Sequence, residues 1–479
     1  MANLNSTEFF NKVYGCWVGK NIGGTLGTPF EGKTDILDIR DFHSPSGKPL
    51  ANDDLDLQLV WLKALEEYGP NRISEKVLGE YWLDYIPAWW NEYGIGKSNM
   101  QAGLLPPVSG DYKNPWRDSN GAWIRSEIWA SITPGDPEAA AEFAWYDACV
   151  DHGTGEGTYA EYFTSSIESA AYVISDREEL LKIGLSYIPE NCRVAQSVRV
   201  AMDAYKDGAD WKTARQRVVE DAQDLGWFQA PANVAFFVIG WLYGEGDFKK
   251  SLLIAVNCGD DTDCTGATLG SILGILGGVD SIPGDWRQFI GDDIISVALN
   301  RASGSFPTSC RELTERVVRM AKITLAMKNS EITISGDETD LSSIKAQDLV
   351  ATENYWEKMR THDGSVFYDF VHTRAYVKYM TGAGIGQDGE AELKITLENK
   401  MPGQRHYSIR YILPDGLTLE EGPKSMVLQT DTRYTRRFGR FTVKLRANEY
   451  LAPQNRIIIE ISSLDRPTDI ILPILLLAE

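Results

Sequence analysis

The sequence predicts a multidomain α plus β protein, an all-α domain followed by an antiparallel β-sandwich, and three observations carry that prediction. Up to about residue 328 apolar residues recur at helical spacing, as in Leu55, Leu59, Leu62 and Leu65, or Val234, Phe237, Val238, Trp241 and Leu242, which gathers them on one helix face. Beyond Ser330 the period becomes two, in Leu393, Ile395, Leu397, then Tyr407, Ile409, Tyr411, then Phe441, Val443, Leu445 and Ile457, Ile459, Ile461, the signature of half-buried strands. The 479 residues are also enough for more than one domain at roughly 150 residues each. The expected division is 1–330 helical and 331–479 sandwich.

The first helix carries Gly15, Gly19 and Gly23 four apart. It reads as a tightly packed helix that ends at the following glycine-rich turn and leaves Glu31 on a loop. A second helix opens at Asn52-Asp53-Asp54-Leu55-Asp56, with an Asn cap and acids in the first turn, where the helix dipole favours them. A third follows Cys258-Gly-Asp-Asp-Thr-Asp-Cys264 and carries Gly266, Gly270, Gly274 and Gly278, again a smooth face for close packing. The later strands are separated by Lys400-Met-Pro-Gly, Pro414-Asp-Gly and Ala452-Pro-Gln-Asn, turns that suit hairpins better than βαβ crossovers. The runs Leu397–Gly403 and Ile412–Leu417 resemble immunoglobulin-like accessory domains found beside carbohydrate-active enzymes.

Charge excludes some functions. With 47 Lys and Arg against 68 Asp and Glu, the net charge of −21 disfavours capture of nucleic acid or anionic lipid. The six cysteines include no C-x-x-C pair, so neither a disulfide framework nor a zinc knuckle is indicated. The start of the chain lacks a basic and apolar leader, and the most apolar stretch, Leu252 to Val279, is interrupted by Asp260, Asp261 and Asp263. No membrane span and a cytoplasmic location are therefore expected.

The chemistry lies with the acids. Asp260, Asp261 and Asp263 fall within four positions; crowded carboxylates repel unless protonated or shared by a cation, and Asp261 with Asp263 offers hard oxygen ligands for Mg²⁺ or Ca²⁺. Asp53 and Asp54 repeat the arrangement. Two acid-rich helix starts, converging, would supply four carboxylates for two divalent ions. Taken alone, either start is also an ordinary capped helix, and Glu31 an ordinary surface glutamate. Gly27-Thr-Pro-Phe-Glu-Gly32-Lys33-Thr34 fits the phosphate-loop string by letter only. Pro29 has no N–H to give, Glu31 would repel phosphate, and no buried strand precedes it.

Together these segments resemble the ADP-ribosylglycohydrolase family over roughly residues 8–325. The family pattern G-x-x-x-G-D-x-x-G-x-P-x-E is similar to Gly15–Glu31, with Lys20-Asn21 in place of the usual polar pair; T-D-D-T is similar to Asn52-Asp53-Asp54-Leu55; G-N-G-x-x-M-R to Ser119-Asn120-Gly121-Ala122-Trp123-Ile124-Arg125; T-H to Asp151-His152; and G-G-D-T-D-T to Gly259-Asp260-Asp261-Thr262-Asp263-Cys264. The resemblance implies an all-α fold around a cleft with two Mg²⁺ ions, Mn²⁺ or Ca²⁺ being alternatives. The implied activity is hydrolysis of an N- or O-glycosidic bond to ribose or a ribose-like sugar. It also implies Asn52, Asp53, Asp54, Asp261, Asp263 and Cys264 at the metals. Glu31, Asp54 and Asp261 would handle protons, and Glu31, Asn120, Gly121, Trp123 and His152 would meet a small-molecule or protein-linked glycoside. Both threonines of T-D-D-T are replaced, by Asn52 and Leu55, and the last of G-G-D-T-D-T by Cys264. A thiol is a poor partner for Mg²⁺, so either Thr265 substitutes, one site weakens, or the preferred ion differs. Trp123 adds an aromatic face able to stack on a sugar or base. Alternatives are a hydrolase of a small carbohydrate or nucleoside glycoside without ADP, and a non-catalytic relative that binds ADP-ribose or a sugar. The oligomeric state is open.

Overall fold

The computed structural model describes residues 2–44, 48–328, 330–362, 364–430 and 437–479. The chain forms two compact units, 1–97 with 114–352, and 98–113 with 353–479. The division therefore falls a short strand and a helical turn beyond residue 330, because β1 (Ala2–Asn5) pairs in parallel with β2 (Ile332–Ser335) and holds that strand in the helical unit.

The helical unit is organised around α1 (Ser6–Gly27), capped by the Asn5 side chain, which accepts from the Thr7 and Glu8 amides. The glycine-rich stretch does not end this helix as expected; it continues to Gly27 and closes in a 3-10 turn at Thr28–Phe30. The reason is the partner. The helix Thr262–Gly277 runs antiparallel against it, and a Cβ on Gly19 would stand 2.1 Å from the Gly270 carbonyl oxygen, one on Gly23 1.9 Å from that of Gly266. Backbone meets backbone, so only glycine fits at these crossings. The second helix, α2 (Asp53–Tyr68), buries Leu55, Leu59, Leu62 and Leu65 as the spacing predicts. No helix among the described residues is long and apolar enough to cross a membrane.

The second unit holds two five-stranded sheets. With β3 (Ser365–Asp369), β4 (Thr373–Tyr379), β5 (Gly384–Ile385), β6 (Glu390–Asn399), β7 (Arg405–Ile412), β8 (Leu417–Glu421), β9 (Ser425–Leu428), β10 (Phe438–Ala447), β11 (Gln454–Ser462) and β12 (Ile470–Ala478), the orders are β3-β4-β6-β10-β8 and β5-β12-β11-β7-β9. The pairings within these two sheets are antiparallel except β5 with β12. Leu393, Ile395 and Leu397 of β6 and Ile457, Ile459 and Ile461 of β11 are buried in one core, as alternation requires. Leu104 and Val108, from the segment 98–113, join that core.

Candidate active site

The glycine seam brings distant acids together. Because α1 and the helix Thr262–Gly277 are antiparallel, the end of one meets the start of the other. The Thr262 hydroxyl donates to the Gly27 carbonyl at 2.8 Å, so Asp261 and Asp263 lie beside the turn that carries Glu31. That turn is pinned: Gly32 N–H donates to Asp260 O at 2.9 Å and Asp260 N–H to Lys33 O at 2.8 Å. The start of α2 joins them, since the Asn52 amide packs where a Cβ on Gly24 would be. The result is two overlapping groups whose ligand atoms lie within 4.8 Å of one another, Glu31 with Asp261 and Asp263, and Asp54 with Asp263 and Cys264.

Their surroundings are short of positive charge. Burial pushes the Asp261 carboxyl up to about 8, with Glu31 and Asp54 adding repulsion. Asp54 and Asp263 are pushed well above the ordinary range by burial and by neighbouring carboxylates. Asp53 is raised by burial, although the Tyr93 hydroxyl donates to its Oδ2 at 2.9 Å. Glu31 is raised by loss of water and by Asp53. A buried cation answers them in part: Lys20 donates to Glu127 at 2.7 Å and stands 3.6 Å from Asp54. Asp54 Oδ1, Asp261 Oδ1 and Asp263 Oδ1 are buried without a hydrogen-bond partner. Unpartnered buried carboxylate oxygens of this kind suit hard divalent cations.

Apart from Asp54, which is buried and not among the lining residues, these groups open on a cavity of about 610 Å³ lined by Glu31, Asp53, Asn120, Gly121, Asp261, Asp263 and Cys264. Asn120 donates to Asp261 Oδ2 at 2.7 Å and accepts the Trp123 indole N–H at 3.0 Å. Trp123, expected to stack on substrate, is thus a buried brace behind Asn120 and is not among the cavity-lining residues. Asn52, expected at a metal, gives its side-chain oxygen to the Asp54 amide at 2.8 Å, the helix-cap alternative. Asp56 likewise accepts from the Val297 and Ala298 amides. His152 is buried behind the wall, between Asp151 and Ser119. Cys264 faces the acids, its sulfur 4.0 Å from Asp54 Oδ2, while the Thr265 hydroxyl bonds back to Thr262 O and does not stand in for it.

Sequence reasoning missed the rest of the wall: Trp89, Trp90, Glu92, Tyr93, Trp227 and Phe228 also line the cavity. The doublets Trp89-Trp90 and Trp227-Phe228, whose three indoles stay about half exposed, were the available signal, since large aromatics held in water are unusual away from binding surfaces.

The helical unit gathers aspartates from two helix starts in one cleft, and comparison with known proteins specifies its family. The family model described as ADP-ribosylglycohydrolase matches residues 5–316, and the chain belongs to that family. Among solved structures it is similar to an "ADP-ribosylglycohydrolase-related protein complex", at 19% identity and a TM-score of 0.46, covering 66% of this chain and 99% of that one. A FixG-related protein from Vibrio parahaemolyticus matches 23% of this chain over 99% of its own, at 9% identity and a TM-score of 0.19. Alpha-2-macroglobulin from E. coli matches 23% over 8% of its own, at 12% identity and a TM-score of 0.18. Comparison with curated proteins returns no match.

Proposed function

We propose that this chain is a metal-dependent hydrolase of an N- or O-glycosidic bond to ribose or a ribose-like sugar. Membership of the ADP-ribosylglycohydrolase family supports a glycohydrolase-like activity. The observation that carries the metal dependence is the pair of buried oxygens, Asp261 Oδ1 and Asp263 Oδ1, that have no hydrogen-bond partner. Asp53, Asp54, Asp261 and Asp263 would hold the ions, Mg²⁺ first and Mn²⁺ or Ca²⁺ as alternatives, with Cys264 beside them. Bound divalent cations supply positive charge that polarises a sugar hydroxyl and a water.

The chain's own groups do the rest. Asn120 fixes the orientation of Asp261 through Oδ2, and Oδ1 is left buried without a hydrogen-bond partner. Asp261 or Glu31 takes the proton of the attacking water, Asp54 being held by Lys20. As positive charge grows at the anomeric carbon, the surrounding acids stabilise the oxocarbenium-like state. Asn120 and Gly121 line the sugar side, and Trp89, Trp90, Trp227 and Phe228 offer flat faces to a sugar or base. Six buried cysteines, none of them in a disulfide, fit a reducing, cytoplasmic setting.

The test is turnover by the full chain of ADP-ribosyl-arginine, ADP-ribosyl-serine peptide and simple nucleosides, in Mg²⁺ and in EDTA. Mg²⁺-dependent release of ADP-ribose supports the proposal. Turnover of nucleosides alone moves the substrate class to glycosides without ADP. Tight binding of ADP-ribose with no turnover of any substrate identifies a non-catalytic binding protein.

A further inference from the structure

Behind the sugar side of the cleft lies a second polar network that the metal chemistry does not use. Asp151 Oδ1 accepts from His152 Nδ1–H at 2.9 Å, which leaves His152 Nε2 facing the Ser119 hydroxyl at 3.3 Å. Arg125 holds Asp151 through both terminal nitrogens, at 2.7 and 3.1 Å, and keeps it down to about 2 despite burial, with His152 adding to the effect. The Ser119 hydroxyl also reaches the carboxyl of Glu92. Glu92 is 2% exposed, its Oε2 has no hydrogen-bond partner, and it lines the cavity. Its place is made by Gly121, where a Cβ would stand 2.1 Å from Glu92 Oε1.

The Ser119 hydroxyl thus stands between the Glu92 carboxyl and His152 Nε2. Burial pushes Glu92 up to about 7, and the side-chain charges it feels most are those of His152 and Asp151, not of the metal-site aspartates. A carboxylic acid raised by burial, with an unpartnered oxygen in the wall of the cleft, has the properties of a general acid.

We infer that Glu92 protonates the leaving atom of the glycoside, with Ser119 and His152 as positioning residues that fix its carboxyl. The inference rests on the glycoside-hydrolase reading above. In the step, the bond from the anomeric carbon to the leaving atom breaks and its electron pair passes to that atom, which takes the Glu92 proton. Water adds to the anomeric carbon and gives its proton to Glu31 or Asp261, and the two carboxyls re-equilibrate through solvent, so the sum is hydrolysis.

The readout is leaving-group dependence, which a structural role would not alter. Holoprotein in Mg²⁺ is assayed on ADP-ribosyl-serine and on the 4-nitrophenyl glycoside of ADP-ribose, and on the corresponding alkyl and 4-nitrophenyl ribofuranosides. Nitrophenolate leaves without a proton, so Glu92→Gln should lower kcat on the alkyl substrate by about 10² to 10³, and by a factor at least ten times smaller on the nitrophenyl one. Ser119→Ala, which leaves Glu92 in place, should show the same selectivity at about a tenth of the size. Equal losses on both substrates, in either variant, would overturn the role of Glu92. Wild-type protein inert toward all four substrates would overturn the glycosidase reading beneath it, and this role with it.

Discussion

Replacing Asp261 with asparagine separates the cost of the acid cluster from its use. In the fold the Asp261 carboxyl is raised to about 8, chiefly by burial, against about 3.9 in an unfolded chain. A raised folded value means that the favourable contribution is complete below about pH 4 and is lost as pH climbs toward 8. By pH 7 about three units of that interval are crossed, and at about 1.4 kcal/mol per unit the carboxyl costs the cation-free fold roughly 4 kcal/mol. Neighbouring Glu31 and Asp263 share this cost and relax with it, so Asp261→Asn should stabilise the cation-free protein by on the order of 2 kcal/mol. That is about 3 °C in the melting of the helical unit, whose size makes its unfolding entropy large. Asparagine keeps an oxygen for the Asn120 amide, so the shape survives. Mg²⁺ should reverse the order, because an ion at about a hundred times its Kd stabilises wild type by about 2.7 kcal/mol and the variant has lost a ligand; turnover should fall to background. Calorimetric melting of both proteins at pH 5 and pH 8, in EDTA and in Mg²⁺, reads all of this. A variant less stable than wild type in EDTA at pH 8, or one that gains as much from Mg²⁺, or one with full turnover, would refute the reasoning.

Three further outcomes are expected. Cys264→Thr should tighten Mg²⁺ several-fold by titration calorimetry, because burial and the adjacent Asp261 and Asp54 push the thiol well up and keep it protonated, whereas a hydroxyl oxygen is a fair Mg²⁺ partner; unchanged affinity would show that the sulfur does not face the ion. Gly270→Ala should destabilise the helical unit by about 3 kcal/mol or more, seen as a lowered denaturant midpoint, since the new methyl would lie 2.1 Å from the Gly19 carbonyl oxygen and rigid backbone cannot yield as a side chain would. Arg125→Ala should cost about 3 to 5 kcal/mol by the same measurement, because Asp147 and Asp151 are then left buried without their cation; Arg125→Lys should recover little, lacking the guanidinium fork.

What the sequence discloses is what local physics governs. The helix start at Asp53 carries its Asn52 cap and first-turn acids within a few residues and stands where those signals put it, whereas the helix at Thr262 begins without a side-chain cap, inside the acid cluster expected to precede it. The strands around Ile409, Val443 and Ile459 follow from alternation of buried and more exposed positions, and that around Ile395 keeps its apolar face buried while Thr396 and Glu398 on the other face are buried as well. The pairing of residues 2–5 with 332–335 leaves no local trace, being a contact between two short strands far apart in the chain. The entry of Leu104 and Val108 into the second core is hidden for the same reason. At the site, the motif residues were legible as a set, but not the division of labour among them. Whether Asn52 caps or ligates, and whether Trp123 faces in or out, depends on which neighbour a distant helix supplies. The aromatic doublets and Glu92 carry no period at all, and only the folded cleft shows what they face.

The glycines and the acids answer a single problem. Carboxylates on one helix repel one another and would be solvated apart; to hold two helix starts and a loop within one coordination distance, the fold needs an approach that side chains cannot obstruct. Glycine every fourth residue on both α1 and Thr262–Gly277 provides it, at a cost of roughly 0.5 to 1 kcal/mol per glycine relative to alanine in a helix. The crossing in turn fixes the register of Glu31 against Asp261 through the paired Gly32–Asp260 and Asp260–Lys33 hydrogen bonds. Lys20, one residue beyond Gly19 on the same helix, reaches back to Asp54 and Glu127 and offsets part of the charge the seam concentrates. It leaves the Asp261–Asp263 side uncompensated, and that is the side that faces the cleft. The negative charge left there is what a cation or a developing oxocarbenium centre would meet, so the instability and the proposed chemistry have the same source.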